Sequence, residues 1–169
     1  MAPGSETTPH HLGPPSFESF FEAEGDRLYG AMCVVTRNSS EAEELTEDAF
    51  VRVWERWDRV RELDDPVGYL YRTAMNGFRM SLRRRAVKRR LGLDRAQGDP
   101  FEAADARDAI ARALAKLTPR QRAAVVLTEL LGYPSEEAAG LLKIKPVTVR
   151  VLASQAHAAM RASMEERHD

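Results

Sequence analysis

Apolar residues recur at three- and four-residue intervals through almost the whole chain, and nowhere do they alternate with polar ones. Phe17, Phe20, Phe21, Leu28, Met32 and Val35 form one such stripe. Ala42, Leu45, Ala49, Val53 and Trp57 form a second, and Val67, Leu70, Tyr71, Ala74, Phe78 and Leu82 a third. This period lines one face of an α-helix, whereas a half-buried strand needs a period of two. The expectation is an all-α fold with no sheet.

Local signals divide the stripes. Asn38-Ser39-Ser40 breaks the first, and Ser40 with Glu43 three residues on has the form of a helix cap. Asp65-Pro66 starts the third helix, with proline where its missing N–H costs nothing. Gly92 to Ala104 is rich in Gly, Asp, Gln and Pro and reads as a linker. Beyond it Ala106, Ile110, Leu114 and Leu117 share a face, and Thr118-Pro119-Arg120-Gln121 carries a cap, an early proline and a glutamine that can close a capping box. Gly132-Tyr133-Pro134 ends that helix, and two short helices follow, Ser135 to about Leu142 and Val147 to about Met164. The expected architecture is two small helical domains joined by a flexible linker: residues 17–91 and 105–165, with a disordered tail at 1–16 and the linker at 92–104.

Net charge is only −1, but its layout matters more than its sum. Acid is dense from Glu41 to Glu55, and base is dense from Arg79 to Arg95, including Arg83, Arg84, Arg85, Lys88, Arg89 and Arg90. Separated signs suggest two different partners. Several function classes fall away. No apolar run could cross a bilayer, and the N-terminus lacks the basic start and apolar stretch of a secretory signal, so a cytoplasmic protein is expected. Cys33, the one cysteine, can form no internal disulfide and reads as a small core residue. His10 and His11 lack companions for a metal site. No nucleophile–base set, metal spacing or phosphate-binding glycine loop is present, so neither an enzyme nor a cofactor is expected.

What remains points to nucleic acid. The last two helices, separated by Lys143 to Pro146, form a helix-turn-helix in which Ala138 and Ala139 permit close packing. The second of them would enter the major groove with Thr148, Arg150, Ser154 and Gln155 placed to reach out. On the third helix, Arg72, Asn76, Arg79 and Arg83 mix amide and basic groups beside aromatic rings, the combination that holds single strands. Tyr71 and Phe78 of that helix are expected in the core. The acidic helix can be a solvated face or a docking surface.

Read in order, these segments resemble a bacterial sigma factor of the extracytoplasmic-function (ECF) type, over about residues 17–165. EAEELTEDAFVRVWERWDRV (Glu41–Val60) is similar to the family's acidic helix that docks on RNA polymerase, which implies a contact through Glu44, Leu45, Glu47, Phe50 and Trp54. PVGYLYRTAMNGFRMSLRRR (Pro66–Arg85) resembles the helix that melts and reads the −10 promoter element, implicating Tyr69, Arg72, Asn76, Arg79, Arg83 and Arg84. LTPRQRAAVVL (Leu117–Leu127) and the helix-turn-helix Gly132–Arg161 resemble the part that binds the −35 element. The resemblance implies core RNA polymerase and promoter DNA as partners, an anti-sigma factor as a further one, and no membrane insertion. The chain departs from the family pattern at Met80, where an acid is usual, and at Lys143, where the turn usually has glycine. It departs again in its last helix, where Leu152, Gln155, His157 and Ala159 stand at commonly basic positions. The rival reading is an autonomous helix-turn-helix regulator that binds duplex DNA without polymerase.

Overall fold

The computed structural model describes residues 16–93 and 109–165. The described residues are helical, with short turns between elements and no strand. The first half contains α1 (Phe17–Thr36), α2 (Ser39–Trp54), the single turn α3 (Trp57–Val60) and α4 (Pro66–Arg90). The second contains α5 (Ala109–Ala115), α6 (Pro119–Val125) continued by a π-helical turn (Val126–Leu130), α7 (Ser135–Leu142) and α8 (Pro146–Glu165). The expected tail (but for Ser16) with its His10 and His11, and most of the expected linker, lie outside the described residues.

Each helix start has a local cause. Ser16 caps α1 by accepting from the Ser19 amide. Asn38, not Ser40, caps α2, accepting from the Glu41 amide at 2.9 Å. Thr36 explains the shift: its hydroxyl accepts from the Asn38 amide, and its own proton goes to the carbonyl of Met32 or of Asn38, which fixes Asn38 as the last extended residue. Asp65 caps α4 with Pro66 in the first turn, and its carboxylate accepts from the Gly68 amide at 2.7 Å. A Cβ on Gly68 would lie 1.9 Å from that carboxylate, so the cap requires glycine there. Thr118 and Gln121 close the capping box of α6 as their spacing predicts.

The core of the first half is large and aromatic. Phe20, Leu28, Met32 and Val35 of α1 meet Leu45, Phe50 and Val53 of α2 and Leu70, Tyr71, Met75 and Phe78 of α4. Edge-to-face contacts join Phe17, Phe50 and Trp57. Tyr71 and Phe78 are both buried, as the sequence predicts. In the second half Ala113, Ala123, Ala124, Ala138, Ala139 and Ala156 let the helices approach closely around Leu127, Leu141 and Val149. Ile110 is exposed, while Leu114 is half-buried and Leu117 buried, so among the described residues the stripe expected from Ala106 to Leu117 meets the core only at its C-terminal end.

The halves share one hydrophobic cluster. Arg122, only 6% exposed, reaches from α6 to the C-terminus of α1, where its Nε donates to the Val35 carbonyl at 2.9 Å. The same guanidinium donates to the Leu117 carbonyl. In return Arg37, in the left-handed region at the end of α1 (φ 53°), donates to the Ala111 carbonyl of α5 at 3.0 Å. The ring of Tyr71 meets that of Tyr133 edge-on. Burial pushes the Tyr71 phenol up to about 12, with the nearby Glu24 carboxylate adding to the shift.

Candidate nucleic-acid interface

The buried stripe of α4 fixes what its other side presents. Tyr69, Arg72, Asn76, Arg79 and Arg83 follow one another at three- and four-residue steps and form a single file. Arg72, Arg83 and Arg84 are exposed, while Tyr69, Asn76 and Arg79 are half-buried. The Arg79 guanidinium donates to Asn76 Oδ1 at 3.2 Å, which orients the amide. Arg56, from the turn before α3, donates to the Tyr69 hydroxyl at 3.2 Å and steadies that ring. Five of the six sequence-predicted residues of this helix therefore share one line, and Arg84, although exposed, lies about 100° round the helix from it. Arg85 plays a different part. It pairs with Glu41 of α2 at 2.7 Å and with Ser81, which itself donates to Glu41. The base-rich stretch thus divides into an arginine that clamps α4 to α2 and arginines that face outward.

On α2 the five residues implicated by the sequence separate. Leu45 and Phe50 are only 7% and 4% exposed; they point into the core, so their side chains are not a docking surface. Glu44 and Glu47 are exposed, and Trp54 is 63% exposed. Glu44, Glu47, Val51 and Trp54 lie in one file, with Val51 also exposed. Sequence reasoning missed Val51; the signal was its position seven residues after Glu44 and three before Trp54. A cleft beside Trp54 is lined by Phe17, Trp57 and Asp58 together with Arg56, Arg59 and Arg61. The surface on offer is an acidic file ending in an indole.

The helix-turn-helix runs from α7 through Lys143 to α8. Lys143 takes the left-handed conformation that the turn demands (φ 52°, ψ 48°), and its amide donates to the Ala139 carbonyl. The predicted Thr148, Arg150, Ser154 and Gln155 are all on α8, with Thr148, Arg150 and Gln155 exposed and Ser154 on the same outward side. Three of the groups on this helix have neighbours. Arg150 pairs with Glu136 at 3.2 Å, His157 faces Glu129 at 3.8 Å, and Gln155 accepts from Gln121 at 3.4 Å. Lys143 and Lys145 flank the turn, with Lys143 exposed. Leu152 is half-buried against the core, so it covers the helix contact and does not present itself to a ligand.

Among the described residues no cluster of His, Cys, Asp and Glu could hold a metal ion, and no helix is long and apolar enough to cross a membrane.

The family profile "Sigma-70 region 2" matches residues 20–87, and "Sigma-70, region 4" matches residues 107–160. The chain is 32% identical over 146 residues to the ECF RNA polymerase sigma factor SigE of Mycolicibacterium smegmatis. That match covers 80% of this chain and 56% of the relative, so the chain spans about half the length of that relative. The fold is similar to that of the sigma factor RpoE of Bartonella quintana, solved with the anti-sigma factor NepR, with a TM-score of 0.69 and 20% identity over 88% of this chain and 96% of the other. It is also similar to a chain of the PhyRSL–NepR complex of Sphingomonas sp. Fr1, with a TM-score of 0.61 and 22% identity over 88% of each chain.

Proposed function

Because this chain belongs to the sigma-70 family, in its ECF branch, we propose that it binds core RNA polymerase and directs promoter-specific initiation. It acts at a −10 element through the first half, residues 17–91, and at a −35 element through the second, residues 105–165. The observation that carries this reading is the pair of files in the first half: Glu44, Glu47, Val51 and Trp54 on α2, and Tyr69, Arg72, Asn76, Arg79 and Arg83 on α4. A helix-turn-helix that regulated transcription by itself would leave both files without a use.

The two files divide the work. Opposite charge speeds the encounter of the acidic file with a basic surface of polymerase, and the Trp54 indole anchors it once water is excluded. On α4, guanidinium groups track the phosphates of a strand while Asn76 hydrogen-bonds an unpaired base and the Tyr69 ring offers a stacking face. Each contact is stronger to the separated strand than to the duplex, so binding shifts the local equilibrium towards melting. The second half engages duplex upstream, and the linker at 92–104 makes the second contact intramolecular, so that two modest affinities multiply. The factor performs no covalent chemistry and takes no cofactor; it works in the cytoplasm with the polymerase. An anti-sigma factor is a fitting regulator, since the RpoE chain of similar fold was solved with one.

The test is run-off transcription with purified bacterial core polymerase, with and without the chain, alongside co-elution of the two. Co-elution with a transcript supports the assignment. Shifting of duplex DNA by a chain that ignores polymerase would replace it with the autonomous regulator. Within the assignment, Asn76→Ala leaves co-elution intact and lowers permanganate reactivity of the bubble.

A further inference from the structure

Over about its first three and a half turns, helix α8 carries no charge along the line that faces directly outward. Val149 and Ala156 are fully buried and mark the inward direction. At about 100° per residue, Val147, Val151, Ser154 and Ala158 all fall within about 40° of the opposite direction. Thr148 and Gln155 flank this line on one side, and Arg150 and Arg161 on the other. Val147 and Val151 are 54% and 47% exposed, one turn apart near the start of the helix. They are followed along the line by the small residues Ser154 and Ala158, which are also exposed. Over about the first three and a half turns the side chains on this line are thus two valines, then a serine and an alanine, with Glu165 following at the end of the helix.

We propose that Val147 and Val151 are specificity residues that read thymine 5-methyl groups in the major groove of the upstream promoter element. The inference rests on the reading of the second half as a duplex binder and deepens it. The N-terminal part of the second helix of a helix-turn-helix meets base edges. In that groove thymine alone among the four bases presents a methyl group, the one base-edge feature that an aliphatic side chain recognises. The surroundings supply what a valine pair lacks. Lys143 at the turn and Arg161 on one flank are exposed cations suited to phosphates, and Arg150, paired with Glu136, lies on the same flank as Arg161. The small Ser154 and Ala158 let the helix axis approach the base edges, which two short valine side chains require in order to make contact.

The test uses the full chain assembled with core polymerase and duplexes enriched from a pool randomised across the upstream element. Enriched duplexes are expected to carry thymines there. Replacing those thymines with uracil keeps every base pair and removes only the 5-methyl groups, and it weakens binding about three- to fivefold per methyl contacted. In Val147→Ala/Val151→Ala the thymine and uracil duplexes bind alike. Alanine at exposed helix positions is favourable to the helix, so the variant folds. Enriched duplexes without thymine, equal binding of the thymine and uracil forms by the unaltered chain, or full discrimination by the double variant would each overturn the inference while leaving the functional assignment in place. A valine pair that serves a protein partner gives the second of these results. Failure to enrich any upstream duplex removes both.

Discussion

Between the helices of the first half lie Phe20, Phe50, Tyr71 and Phe78; at the corresponding depth of the second half lie Ala123, Ala124, Ala138, Ala139 and Ala156. Large rings bury much apolar surface per residue and tie three helices to one another. Alanines bury little, but they allow close helix approach and so make a thin, sharply bent pair of helices suited to a groove. The second half therefore draws support from outside itself, through Arg122 on the Val35 carbonyl and Tyr133 on Tyr71. Stability is concentrated in the first half, and the second half leans on it.

Four substitutions probe this contrast. Phe20→Ala opens a cavity in the aromatic cluster and should cost about 3–5 kcal/mol, measured by urea unfolding. A cost near that of a surface substitution would deny the first half its role as the stable partner. Arg122→Met removes charge-assisted hydrogen bonds and leaves carbonyls at the end of α1 and just after α5 without those donors, a loss of about 2–3 kcal/mol. Hydrogen exchange should then quicken in α6–α8 and stay slow in α1, α2 and α4. Equal acceleration in both halves would mean that they unfold as one unit. Lys143→Gly relieves a left-handed residue and should raise stability by about 1 kcal/mol, read as a higher melting temperature. Tyr71→Phe has the smallest effect near neutral pH and acts mainly in alkali. The Tyr71 pKa is raised from the ordinary 10 to about 12 in the folded chain. The folded state therefore holds its proton longer than the unfolded state does, and stability falls as pH rises between these values. The phenylalanine variant should lose less stability over that interval in parallel pH melts.

Much of this was legible in the sequence because it is local. The α4 stripe, the Asp65 and Thr118 caps, and the two helices around Lys143 follow from spacing and turn chemistry alone. So does the file from Tyr69 to Arg83, since helical period fixes which residues share a face. What escaped depends on contacts far along the chain. Leu45 lies on the apolar stripe and yet, like Phe50, is implicated in docking by the family resemblance, and the packing of α1 against α2 buries both. Arg122 looks like an ordinary basic residue in a first turn; its burial is set by the end of α1, 87 residues away. The cap at Asn38 depended on the Thr36 hydroxyl, and the break from α6 into a π-helical turn at Val126 has no signal in composition.

The reciprocal bonds of Arg122 and Arg37 have a consequence for recognition at a distance. A ligand that engages the two halves only when they stand apart meets only the fraction of molecules in which both bonds are released. Its apparent affinity is lowered by that fraction, tenfold for about every 1.4 kcal/mol favouring the joined form. Weakening either arginine contact would tighten such a ligand without altering any atom it touches.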